Sequence, residues 1–160
     1  LFFYYLTMLL AFAVVVSVSA RGAGHDARTS YAGLHRRSPL LALAMLLALL
    51  SMAGVPPLAG LIGKFLAFYA LVDAATSKPW LVGLGVVGAL GIVLSLYYYL
   101  RLIRELFVEE PTGDAEPIAP TVGVRLVVAA GIATLIGLGV WWEPVHTAAA
   151  RAAEALLAAR

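Results

Sequence analysis

Residues 38–72, SPLLALAMLLALLSMAGVPPLAGLIGKFLAFYALV, carry a single charged side chain, Lys64. As one helix the run would extend roughly 50 Å at about 1.5 Å per residue, well beyond a hydrocarbon core about 30 Å thick. The stretch is therefore expected to fold back on itself. Gly54, Pro56 and Pro57 mark the place. Proline lacks an amide hydrogen and disfavours helix in the residue before it, while glycine tolerates the dihedrals of a reversal. The expectation is two short spans meeting at a Gly-Val-Pro-Pro turn.

Lys64 follows the prolines by seven residues, too deep for easy escape to the nearer headgroups. A central lysine costs about 3 kcal/mol on insertion scales, so such residues usually face a bundle interior or a hydrated cavity. Two readings answer that cost. In the functional one, desolvation disfavours the ammonium form, and the lysine can exchange a proton in the working pH range. In the structural one, it pairs with a carboxylate on a neighbouring helix. Gly60 and Gly63 stand just before it and weaken helix there, so a partly unwound helix around Gly60 to Lys64 is expected. Short, Gly/Pro-interrupted segments are also how transporters present carbonyls and half-helix ends to an ion. Plain close packing of small residues is the competing account.

Composition sets the class. Of 160 residues, 62% are hydrophobic and 12% charged, which indicates an all-α integral membrane protein. Without cysteine the chain has no disulfide, no thiolate-held iron-sulfur cluster and no cysteine zinc site. Its basic residues lie at segment ends rather than in a stripe, which argues against nucleic acid as a partner.

About five transmembrane helices are predicted. Residues 1–20 are uncharged and long enough to span. No initiator methionine or basic region precedes them, so a spanning helix is favoured over a signal peptide, in a chain expected to begin inside a longer protein. A polar loop with Arg21, His25, Asp26, Arg28, His35, Arg36 and Arg37 follows. Its histidines lack helix-borne ligand spacing, so no metal site is assigned. Ser38 then caps a helix with Pro39 at its first position. After the central pair of spans come a connection with Lys78, a span from Trp80 to Leu100 and a polar segment with Glu109, Glu110, Asp114 and Glu116. A last span covers Thr121 to Trp142, and residues 143–160 form an amphipathic or frayed tail.

Gly83, Gly85 and Gly88 match a G-x-G-x-x-G pattern, yet they sit inside an uncharged apolar segment with no strand before them. Gly85, Gly88 and Gly91 are read instead as a close-packing helix face. With five crossings, the first loop, the Lys78 loop and the tail share a side bearing seven Lys or Arg, against three on the other. The positive-inside rule makes that side cytoplasmic.

The run from Ala32 to Val72, followed by SLYYYLR, resembles the C-terminal part of the antiporter-like subunit N family of bacterial NADH-quinone oxidoreductase, respiratory complex I, whose mitochondrial counterpart is subunit 2. The Ser-x-x-Gly-x-Pro-Pro-x-x-Gly-x-x-Gly-Lys-Phe core, Ser51 to Phe65, carries the likeness. Leu61 stands where phenylalanine is common in the family, and Gly91 replaces a frequent serine. The resemblance implies one membrane domain over residues 1–160, the end of a longer subunit, that moves protons without a redox centre of its own. Lys64 would be a proton relay on a discontinuous helix, with Gly54, Pro56, Pro57, Gly60 and Gly63 supplying break and packing. NADH, FMN, iron-sulfur clusters and quinone would belong to other parts of the complex. The partners would be other membrane subunits, antiporter-like neighbours among them, in the cell inner membrane. The family topology would place the first loop and the tail outside the cytoplasm, against the charge count. The alternatives are a subunit of a sodium/proton antiporter or membrane hydrogenase, and a non-conducting scaffold. A freestanding enzyme does not fit, because no nucleophile, base and acid cluster at a common depth.

Overall fold

The structure is a computed structural model that describes residues 2–20, 31–110, 117–141, 143, 147–148 and 151. The expectations for Arg21, His25, Asp26 and Arg28, for Asp114 and Glu116, for Trp142 and for most of the 143–160 tail lie outside the described residues. Within them the chain is helical: α1 (Phe2–Ser19), α2 (Leu34–Arg37), α3 (Pro39–Ala53), α4 (Ala59–Ala75), α5 (Leu81–Phe107) and α6 (Val122–Val140). Five apolar helices stand where five spans were expected, but only α1, α5 and α6 are long and apolar enough to cross a membrane alone, α3 and α4 being shorter at 15 and 17 residues; the chain is a membrane-embedded helical protein.

Helix α3 forms the centre. Leu41, Ala42, Ala44, Met45, Ala48 and Leu49 are buried on it, against Leu10, Val14 and Val18 of α1 and Val128 and Leu135 of α6. Pro39 stands in its first turn, where a missing amide hydrogen does no harm. Ser38 precedes it in extended conformation, but its hydroxyl makes no capping bond, contrary to expectation; only its carbonyl joins the helix, accepting from Ala42 at 3.0 Å. By contrast α4 and α5 turn Phe65, Tyr69, Val72, Val86, Val87, Leu90 and Leu94 outward. An apolar exterior of this kind suits lipid or further membrane helices and not water.

The expected reversal at Gly54 to Pro57 does not occur. Phe68 of α4 lies over Gly88 of α5 and Leu71 over Gly85, so α4 and α5 run antiparallel. Helix α3 starts beside the other end of α5, where Gly33 N–H donates to the Glu105 carbonyl at 3.2 Å, and packs back along it. Both α3 and α4 therefore oppose the single continuous α5 and share one direction. They are two halves of one discontinuous path, joined across residues 54–58. The two halves overlap, the first turn of α4 beside the last turn of α3, so the pair spans about 43 Å, comparable to about 40 Å for α5 and to a whole bilayer of about 40–45 Å including its headgroup regions. The break also falls slightly earlier than predicted. Gly60, Gly63 and Lys64 all lie in regular helix, and the chain leaves helical geometry between Ala53 and Ala59.

Helix α1 runs against α3, with Thr7 meeting Ser51, and α6 runs with it, from Ile118 N–H on the Arg37 carbonyl to Gly139 at the Pro57 turn. With α3 and α4 on one path, the charge count is resorted. Among the described residues Arg36, Arg37, Arg101, Arg104 and Arg125 gather at the end where α3 begins, and Lys78 lies at the opposite end. Arg36 and Arg37 of the first loop and Lys78, placed together by the five-crossing count, lie at opposite ends.

The Gly83 to Gly88 pattern lies inside α5, as its apolar context predicted. Gly85 and Gly88 do pack closely, against Leu71 and Phe68, but Gly91 faces open space and takes no part.

Candidate functional site

The site grows out of the end of α3. A helix leaves its last four carbonyls without partners inside the helix. Gly54, at φ 89°, turns the chain into the left-handed region that glycine adopts without strain. That turn lets Gly54 N–H donate to the Ser51 carbonyl and Val55 N–H to the Leu50 carbonyl, each at 3.0 Å. These are the two bonds of a Schellman motif. Two carbonyls are then left, those of Met52 and Ala53.

Lys64 closes both. Its Nζ donates to the Met52 carbonyl at 2.7 Å and to the Ala53 carbonyl at 3.0 Å. Its stem runs over Gly54, where a Cβ would come within 3.2 Å of the lysine Cδ. The ammonium thus sits at the negative end of the α3 dipole, a favourable place for a cation. No carboxylate among the described residues forms an ion pair with it; the ion pairs there are Arg36 with Glu110 and Arg101 with Glu105.

The opposite cap comes from the other half-helix. Leu58, at the N-cap of α4, has no side-chain acceptor to offer. The Gly60 N–H instead donates to Ser51 Oγ of α3 at 3.2 Å. So α3 caps the start of α4 with a serine, and α4 caps the end of α3 with a lysine. Gly60 permits the approach, since a Cβ there would overlap the Ser51 carbonyl oxygen. Gly63 has nothing within 4 Å of its missing Cβ. The two glycines, paired in the sequence reading as helix-weakening residues, therefore differ: one allows contact and the other lines open space. Pro56 and Pro57 form the turn between the halves, with the Pro57 carbonyl against Gly139.

A cleft of about 220 Å³ opens beside Lys64, lined by Phe3, Tyr4, Thr7, Ser51, Gly63 and the lysine itself, among others. At about 30 Å³ per water it has room for several. Two of the three ammonium donors are spent on carbonyls. The arrangement can hold a cation half-buried at a helix break, one side on backbone oxygen and the other toward a mostly apolar cleft. Two features were not foreseen in the sequence: the carbonyls of Met52 and Ala53, which no side-chain pattern announces, and Thr7, which lies 44 residues from Ser51 in the chain. The place of Ser51 three residues before Gly54 was the one available signal.

Residues 1–92 match the family model described as NADH:quinone oxidoreductase/Mrp antiporter, TM. The chain is 40% identical over 151 residues to NADH-quinone oxidoreductase subunit N 2 of Sorangium cellulosum, covering 91% of this chain and 28% of that protein. It is 39% identical over 156 residues to subunit N of Desulforamulus reducens, covering 98% of this chain and 31% of that one. Among solved structures it matches a chain of respiratory complex I from Thermus thermophilus with bound aureothin, with a TM-score of 0.67 and 34% identity over 86% of this chain and 31% of that chain. It thus spans less than a third of the length of these relatives. A family match over more than half of the sequence, residues 1–92, which include the reciprocal caps, decides the assignment: the chain belongs to the NADH:quinone oxidoreductase/Mrp antiporter family of membrane proteins, where its relatives are subunit N proteins.

Proposed function

We propose that this chain is a proton-translocating part of the membrane arm of a respiratory NADH:quinone oxidoreductase, in which Lys64 is a proton relay. The observation that carries the reading is the place of the Lys64 ammonium, held by two carbonyls at a helix break and facing a cleft with room for water. A cation bound there by backbone dipoles alone is able to respond to charge arriving from a neighbouring element, because no carboxylate among the described residues neutralises it. The structural reading, in which the lysine is one partner of a buried ion pair, lacks its second partner among those residues.

On this reading residues 1–160 are one membrane domain, the C-terminal part of a longer subunit, with 143–160 as its tail. Electron transfer through NADH, FMN, iron-sulfur clusters and quinone takes place in other parts of the complex. The exposed apolar faces of α4 and α5 meet lipid, the rest of the subunit or antiporter-like neighbours, in the inner membrane of the cell. The arginine-rich end, where α3 begins, faces the cytoplasm by the positive-inside rule. Identity to subunit N proteins favours the respiratory complex over a sodium/proton antiporter.

The test places Lys64→Met in the complete subunit, checks assembly of the complex, and records NADH oxidation and proton uptake in inverted membrane vesicles. Assembled complex with both activities impaired supports the relay. Normal pumping removes it, and failure to assemble returns the lysine to a structural role.

A further inference from the structure

Ser51 and Thr7 are both buried, at 0% and 1% exposure, beside the Lys64 cleft. Their hydrogens have one consistent arrangement. The Thr7 hydroxyl donates to the Phe3 carbonyl at 2.8 Å, which commits its proton. Across the 3.2 Å between the two hydroxyls, Ser51 is then the donor and Thr7 Oγ1 the acceptor. Ser51 Oγ in turn accepts from Gly60 N–H at 3.2 Å. The chain begins at a backbone amide of α4 and ends at a backbone carbonyl of α1, so it has no free end from which to pass a proton. It is a tie and not a wire, and it joins α1, α3 and α4 at one point.

The tie stands next to the lysine on both helices. Ser51 directly precedes Met52 and Ala53, whose carbonyls hold Nζ, and Gly60 precedes Lys64 by one turn. We propose that Ser51, backed by Thr7, is a positioning residue for Lys64. It sets the register between the two half-helices, and that register decides whether the ammonium reaches the α3 carbonyls. This inference rests on the relay reading of Lys64. The Ser51 contact does not depend on protonation, whereas the Lys64 contacts lose their charge assistance when the proton leaves, so the serine is the pivot about which the lysine side of the break loosens when the charge changes. Thr7 holds the serine rotamer by accepting its proton. Without that acceptor the hydroxyl is free to turn away from Gly60.

The experiment uses the complete subunit in its assembled complex, with Ser51→Ala, Thr7→Val, Thr7→Ser, Lys64→Met and the double variant Ser51→Ala/Lys64→Met. Proton uptake and NADH oxidation are recorded across pH in inverted vesicles. For Ser51→Ala the expected result is an assembled complex, a loss of coupled activity of roughly five-fold, the order of one net hydrogen bond, and a displaced pH profile. Thr7→Val reproduces the displacement in part, and Thr7→Ser restores the parent profile. Because Ser51 acts through Lys64, the double variant is no worse than Lys64→Met. An unchanged rate and pH profile in Ser51→Ala overturns the proposal, as does additive loss in the double variant. If Ser51→Ala does not assemble, the threonine pair decides; failure of Thr7→Val as well makes the tie purely structural and overturns it too. Normal pumping by Lys64→Met would instead sink the relay reading beneath it, a distinguishable outcome.

Discussion

The Nζ of Lys64 lies 2.7 Å from the carbonyl oxygen of Met52, so a side chain on one half-helix completes the backbone hydrogen bonding of the other. With the Ala53 carbonyl at 3.0 Å and the glycine turn supplying the remaining bonds, each of the last four carbonyls of α3 has a donor. The lysine therefore has two separable tasks, holding the break and carrying a charge that can leave.

Lys64→Arg separates them. A guanidinium stays protonated in proteins and offers donors enough for both carbonyls, so the cap survives while proton release is lost. The expected outcome is an assembled complex with near-parent thermal stability and proton uptake no higher than in Lys64→Met. Lys64→Met itself leaves two acceptors without a donor and lowers stability by about 1–3 kcal/mol for each that stays buried from water. Comparing the melting temperatures of the two purified complexes checks the difference.

Gly54→Ala tests the turn. At φ 89° an L side chain is strained by roughly 1–2 kcal/mol, and its methyl also presses on Lys64 Cδ at 3.2 Å. Stability should fall by that order, and proton uptake should fall with it because the lysine stem is displaced. Denaturation of the purified subunit in detergent, alongside vesicle assays, reads both.

Gly60 and Gly63 should respond in opposite ways. Gly60→Ala drives a methyl into the Ser51 carbonyl and forces the half-helices apart, a backbone clash expected to exceed the usual 1–3 kcal/mol of overpacking. Gly63→Ala meets nothing within 4 Å and replaces a poor helix former with a good one, so it is expected to be neutral or to stabilise by up to about 1 kcal/mol. Assembly yield and melting temperature of the two variants measure the contrast.

His35→Ala should act far from the break. The ring stacks on Phe107 at 5.6 Å between centroids, and its Nδ1 lies 3.1 Å from the Leu106 carbonyl, which fixes the proton on that nitrogen. Removal should weaken the docking of α2 on the end of α5 by about 1 kcal/mol. Faster amide exchange confined to the α2 segment and the last turn of α5, with the Lys64 region unchanged, is the expected pattern.

The residues themselves determined the membrane class, the long apolar helices, the break at Gly54, Pro56 and Pro57, and Lys64 as the charge that needs an explanation. All four follow from local chemistry: apolar runs of spanning length, a missing amide hydrogen, permitted dihedrals and the desolvation of an ammonium. Only the tertiary structure decided which way the chain goes after the prolines. Such a turn permits reversal or continuation equally well, and the choice rests on α5, whose Gly85 and Gly88 accept Leu71 and Phe68 along one continuous helix. The structure also decided what Lys64 holds. Backbone carbonyls leave no mark in a side-chain pattern, and the partner of Ser51 is Thr7, 44 residues away. Sequence spacing records neighbours within a helix, whereas contacts between helices depend on how deeply a missing Cβ lets two backbones approach.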